Sequence, residues 1–152
     1  MSIVLFDTVE SHTQLLPLSY TRSGADMRVG ILTIKEKWER YLGQSVQVLT
    51  ETYLQPKYGN LHLDAENLFI AANVLPTPQL VAEIQMLSGA TALSADGKTV
   101  AFRSSILPST CNDIQPIAQQ SKFIMVTIPV QFVASPSAIF KYNAQEIAAD
   151  FK

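Results

Sequence analysis

Apolar residues fall along this chain in short bursts whose spacing alternates between continuous and helical. Ile3–Phe6 is an unbroken apolar run, the pattern of a strand covered on both faces. Residues 7–26 hold Asp, Ser, Thr, Pro and Gly and read as loop. Ile31, Ile34, Trp38, Tyr41 and Leu42 then recur at helical spacing, with Lys35, Glu36, Lys37, Glu39 and Arg40 assigned to the other, exposed face. Thr33 and Glu36 have the spacing of a capping box, which starts the regular helix later than the apolar pattern, and Gly43 is a stop.

Val46–Leu49 returns to a short strand, and residues 52–67 are irregular, broken by Pro56, Gly59 and Asn60. Leu68–Ala72 is another apolar run, ending at Asn73. Thr77 and Pro78 open a second helix as N-cap and first helical residue; Leu80, Val81, Ile84 and Leu87 form its stripe, and Gly89 follows its end. Asp96-Gly97, between residues 92–95 and 99–102, predicts a two-residue hairpin. Residues 104–121 carry no clear pattern beyond a short helix over 113–119. Phe123–Val133 reads as strand, with Pro129 marking an edge or bulge, and Asn143–Phe151 reads as a terminal helix with Ile147 and Phe151 on one face. No internal repeat, linker or low-complexity tract is visible. The order predicts a three-layer α/β domain with a mostly parallel sheet and a β-hairpin insertion. Its ligand site belongs where Phe6, Leu49 and Ala72 hand over to loops, beyond the strand C-termini.

At 152 residues the chain fits one domain, and 47% hydrophobic with 16% charged residues describes an ordered globular protein. A formal charge of −2 removes the bulk electrostatic case for nucleic acid or an anionic membrane, so any phosphate binding must come from local cations. The apolar start is far shorter than the ~20 residues of a membrane helix, and Asp7 follows it directly. A cytoplasmic protein without membrane attachment is expected. Cys111 stands alone, which excludes an internal disulfide.

The local cations are Arg22 and Arg28, in the loop between the first strand and the tryptophan-bearing helix. Arginine offers planar, paired donors that suit phosphate oxygens. Either side chain can instead pair with Asp7, Glu10 or Asp26 and only pin the loop. Asn73, at the mouth of a strand, is placed to meet a ribose or sugar hydroxyl, or to cap the loop before Pro76. Lys35 and Lys37 read as solvated helix charges, with Lys37 also a candidate ligand contact. Asp64, Asp113 and Asp150 are the remaining carboxylates considered for a metal, and no spacing recommends any of them. His12 and His62 are isolated, and no nucleophilic triad is apparent. Trp38, Tyr41 and Phe69 are expected in the core.

Four blocks carry a resemblance: LPLSYTRSGADMRVGILTIKEKWERYL at 16–42, YLQPKY at 53–58, LFIAANVLPTPQLV at 68–81 and IFKYNAQEIAADF at 139–151. They resemble the N-terminal domain of predicted sugar nucleotidyltransferases of the kind found in Bacteroidetes. More remotely, they resemble the pyrophosphorylase half of bifunctional N-acetylglucosamine-1-phosphate uridyltransferases. The resemblance implies a Rossmann-like nucleotide-diphospho-sugar transferase-type fold over residues 1–152. It also implies a nucleoside triphosphate and a sugar phosphate as partners, and Mg²⁺ as cofactor. It makes Arg22 and Arg28 the catalytic candidates, Asn73, Asp26 and Lys37 the substrate-binding ones, and Asp150, in the DF element, the metal candidate. In that family a left-handed β-helix of hexapeptide repeats follows; none is visible here, so a detached or truncated nucleotidyltransferase domain is expected. Oligomeric state is open between a monomer and a homo-oligomer.

Three departures stand beside the resemblance. Active pyrophosphorylases carry G-x-G-T-R after the first strand, whereas here no glycine occurs between Phe6 and Gly24. Ser23-Gly24 stands where their Pro-Lys pair would fall, and the nearer relatives have Arg-Pro at Arg22-Ser23. Asn73 replaces a metal-binding aspartate, and a neutral amide is a poorer Mg²⁺ ligand than a carboxylate. A non-catalytic nucleotide-sugar-binding or oligomerisation domain on the same fold is therefore the alternative to a transferase.

Overall fold

The computed structural model describes residues 2–7, 25, 27, 29–30, 32–50, 54–58, 67–86, 91–95, 98–104, 122–125, 130–133 and 136–150. Among them are strands β1 (Ser2–Phe6), β2 (Gln47–Leu49), β3 (Asn67–Ala71), β4 (Thr91–Ala95), β5 (Lys98–Ser104) and β6 (Lys122–Met125). The helices are α1 (Ile34–Leu42), α2 (Gln55–Tyr58), α3 (Pro78–Gln85) and α4 (Pro136–Asp150).

The apolar runs of β1 and β3 become the centre of a sheet ordered β2-β1-β3-β5-β4-β6. β1 is parallel to both β2 and β3, β4 is parallel to β6, and β5 runs antiparallel to β3 and β4. The result is the α/β class expected, a mostly parallel sheet into which the 91–104 hairpin has been inserted. Phe6, Phe69 and Phe102 sit together on neighbouring strands, with Phe69 and Phe102 stacked at 5.0 Å. Every residue of β3 is buried, which is why that segment shows no alternation of polar and apolar positions.

Helix boundaries follow their capping chemistry. Thr33 Oγ1 accepts from Glu36 N–H at 3.2 Å, and Glu36 Oε1 accepts from Thr33 N–H at 3.1 Å, so the capping box forms and α1 begins at Ile34. Gly43 ends α1 at φ 72° and donates to Glu39 O at 2.9 Å. Thr77 caps α3, accepting from Leu80 N–H, and Pro78 takes the first position, where a missing N–H costs nothing.

The structure corrects four expectations. Within the irregular 52–67 segment, Gln55–Tyr58 is one helical turn. Pro56 lies in its first turn, where proline is tolerated, and Gln55 fastens the turn to β2 by accepting from Thr50 N–H and donating to Val48 O. Of the strand expected over 123–133, residues 123–125 belong to β6, residues 130, 131 and 133 are not strand, and Phe132 forms an isolated bridge to Val74. The terminal helix starts at Pro136, seven residues before the predicted Asn143. Tyr41 is 39% exposed rather than core, whereas Trp38 and Phe69 are fully buried. Predicted features around Gly59, Gly89, Asp96, Cys111 and residues 105–121 lie outside the described residues, as do His12 and His62. Among the described residues, no helix is long and apolar enough to cross a membrane.

Candidate functional site

β2 and β3 flank β1 on opposite sides, and in open α/β sheets ligands bind beyond the strand C-termini at such a switch point. Phe6 is in register with Ala71, and Ala72 N–H donates to Phe6 O at 2.9 Å; Asp7 follows β1 directly, and Asn73 lies two residues past the end of β3. Both are buried, at 1% and 7% exposure. Asp7 N–H donates to Leu49 O, and its Oδ2 accepts from the Thr50 hydroxyl at 2.6 Å, which ties the ends of β1 and β2 together. Asn73 O accepts from Val133 N–H at 2.7 Å, and Leu75 N–H donates to Gln131 O, so residues 131–133 run along the outgoing chain of β3.

Beside this edge lies a cleft of ≈ 610 Å³. The link between the two is Val74, whose carbonyl accepts from the Trp38 indole N–H at 3.0 Å. Beyond Val74 the chain supplies Pro76, Thr77 and Gln79 to the cleft wall; α1 supplies Lys37, Arg40 and Tyr41, and α4 supplies Gln145 and Glu146.

Lys37 is where the structure departs furthest from expectation. It is 2% exposed and forms an ion pair with Glu146 at 3.0 Å, rather than standing solvated on the outer face of α1. Its position explains this: Lys37 lies three residues after Ile34 and next to Trp38, both fully buried, on the inward side of α1. Glu146, brought in by α4, supplies the countercharge that a buried ammonium requires.

The same helix seats on the segment leading into α1. Ala25, Met27 and Val29 are buried, and Gly30 adopts φ 80° with its N–H donating to Asn143 Oδ1 at 2.9 Å. A Cβ on Gly30 would lie 2.8 Å from the Glu146 carbonyl carbon and the Ile147 nitrogen. α4 therefore packs backbone to backbone against this glycine, and only glycine fits both the angle and the gap.

Of the six site residues expected from sequence, Asn73 reaches the β1/β3 edge and Lys37 reaches the adjoining cleft. Arg22, Arg28 and Asp26 lie outside the described residues. Asp150 is the last residue of α4, and its side chain is likewise not described. Sequence reasoning missed Asp7 as a site residue, although a carboxylate directly after a buried strand was a readable signal. It also missed Gly30, Arg40, Tyr41 and Glu146, whose roles depend on α4 docking from far along the chain.

Mg²⁺ finds no ligand set among the described residues. No three His, Cys, Asp or Glu side chains converge there, Asn73 presents a neutral amide, and one Asp7 oxygen is held by Thr50.

A sequence profile of the sugar nucleotidyl transferase family matches residues 3–152. The chain belongs to that family. No curated protein matches it by sequence. Among solved structures, it is similar to a protein from Bacillus anthracis assigned as a glucose-1-phosphate thymidylyltransferase and crystallised with sucrose. The TM-score is 0.55 at 9% identity, covering 97% of this chain and 95% of that one. Identity that low carries the fold alone, so the family's architecture is shared while the site must be argued from this chain's own residues.

Proposed function

We propose that residues 1–152 act as a sugar-phosphate nucleotidyltransferase unit, moving a nucleotidyl group from a nucleoside triphosphate to a sugar 1-phosphate. The observation that carries this reading is the family match, which runs from residue 3 to residue 152; the strand order β2-β1-β3 supports it, since in open α/β sheets ligands bind beyond the strand C-termini at such a switch point. In the reaction, a phosphate oxygen of the sugar 1-phosphate attacks the α-phosphorus. The bond from that phosphorus to the bridging oxygen breaks, and pyrophosphate leaves with the electron pair. No covalent enzyme intermediate is required. Such transfers depend on positioning and on neutralising oxyanions, the roles proposed for Arg22 and Arg28. Asn73 serves a ribose or sugar hydroxyl, and Asp26 orders the arginine-bearing loop or contacts substrate.

Incubating the chain with each nucleoside triphosphate, Mg²⁺ and a panel of sugar 1-phosphates should release pyrophosphate with at least one pair. Silence across the panel overturns the catalytic reading. One observation favours a second reading, nucleotide-sugar binding without turnover: the mouth of β3 carries an amide where the resembling enzymes carry a carboxylate. Saturable binding of a nucleotide-sugar in calorimetry, with no pyrophosphate formed, would select it.

A further inference from the structure

The seat of α4 differs in kind from that of the other helices around the cleft. α1 buries Ile34 and Trp38 beside Lys37, and α3 buries Leu80, Val81 and Ile84. Of the described side chains of α4, only Glu146 is buried. Ala138, Ile139 and Tyr142 lie partly covered against the core, while Lys141, Ala144, Gln145 and Ala148 are exposed. Among the described residues, α4 shares no extended contact with any other helix or strand. The links that hold it are polar: Gly30 N–H to Asn143 Oδ1, the Gln145 amide to Gln131 Oε1, and the Lys37–Glu146 ion pair. At Gly30 the backbones meet closely, with no side chain on the glycine to add an apolar grip.

Such links release together at small net cost. Each hydrogen bond is exchanged for one to water, so its net contribution is modest. For a buried ion pair the manner of breaking decides the cost. Removing one partner strands the other charge in the interior, whereas lifting α4 returns both ions to water, and their recovered hydration offsets most of the lost attraction. Fully buried apolar side chains would resist that movement, and the described part of α4 has none. The sheet centre is the opposite case: Ile3 to Phe6 of β1 and every residue of β3 are buried. Units so differently held open with different free energies within one fold.

We propose that α4 undocks and redocks as a unit while the six-stranded sheet stays folded, with the Lys37–Glu146 pair as its latch. Gln145 and Glu146 belong to the cleft wall, so the docked helix closes the cleft, and the undocked helix opens it and bares the Lys37 ammonium. Residues 131–133 stay fastened to the chain leaving β3, through Leu75 N–H to Gln131 O and Val133 N–H to Asn73 O, which confines the movement to the chain after Val133. The device is independent of the transfer reaction proposed above.

Native-state hydrogen exchange of the full chain in low urea, resolved by residue, tests it. Amides of residues 143–147 should exchange at least about 10-fold faster than those of β1 and β3. Their rates should also depend less on urea, because a local opening exposes little surface. Acylation of the Lys37 amine by a water-soluble ester should proceed through the same opening, with the same weak urea dependence. Glu146→Gln takes the countercharge from the buried ammonium and should speed both readouts at least about 10-fold. The double replacement Lys37→Met with Glu146→Leu should return α4 exchange to the wild-type rate or below. One rate and one urea dependence shared by α4, β1 and β3 would overturn the proposal. So would α4 exchange unchanged by Glu146→Gln, or a double variant that exchanges as fast as Glu146→Gln.

Discussion

Gly30 and Gly43 share nearly the same left-handed backbone, at φ 80° and φ 72°, in contrasting surroundings. A Cβ on Gly43 would meet nothing within 4 Å, whereas on Gly30 it would press against the backbone of α4 at 2.8 Å. Replacing either by alanine incurs left-handed strain of about 1–2 kcal/mol. At Gly30 the opposing atoms belong to a hydrogen-bonded helix and cannot swing aside, so α4 must lift. Lifting it stretches the Gly30–Asn143 hydrogen bond, worth about 1 kcal/mol. It also strains the neighbouring Lys37–Glu146 pair, whose outright rupture costs about 3–5 kcal/mol. With partial opening, Gly30→Ala should lose about 3–5 kcal/mol in all, against about 1–2 for Gly43→Ala. Urea denaturation followed by the fluorescence of Trp38, the only tryptophan, reads both. Equal losses, within about 0.5 kcal/mol, would refute the close seating of α4 on Gly30.

Lys37→Met strands the Glu146 carboxylate in a buried setting and should cost about 3–5 kcal/mol, while the double replacement Lys37→Met with Glu146→Leu should recover most of it in the same denaturation assay. Trp38→Phe leaves the Val74 carbonyl without its indole donor and should cost about 1–3 kcal/mol, visible as a lowered thermal midpoint. Arg28→Ala should lower kcat/KM for pyrophosphate release by about 10²–10³-fold, as expected of a lost oxyanion partner; retention of full rate would remove that arginine from the chemistry.

The fold was largely legible because its signals are local. Unbroken apolar runs gave β1 and β3, and Thr33 with Glu36 and Thr77 with Pro78 set two helix starts to the residue. What stayed hidden depends on partners distant in sequence. Lys37 reads as a surface charge until Glu146 arrives to neutralise it. Tyr41 reads as core by its spacing, but it stands on the cleft side of α1, where no neighbour covers it fully. The early start of α4 was masked because residues 136–142 carry no single apolar stripe. At the strand C-termini, Asn73 reads as a candidate from its place after an apolar run, whereas Asp7 reads only as a partner for an arginine.

Gly30 and Asn143 meet across a separation of 113 residues, and that distance orders events during synthesis. The parallel core of β1, β2 and β3 needs only the chain through Ala71. The cleft cannot close until α4 has left the ribosome, roughly 4–16 s later at ordinary elongation rates. A nascent chain therefore holds a finished sheet centre before it holds a finished pocket, and any ligand of that pocket must wait for translation to pass Glu146.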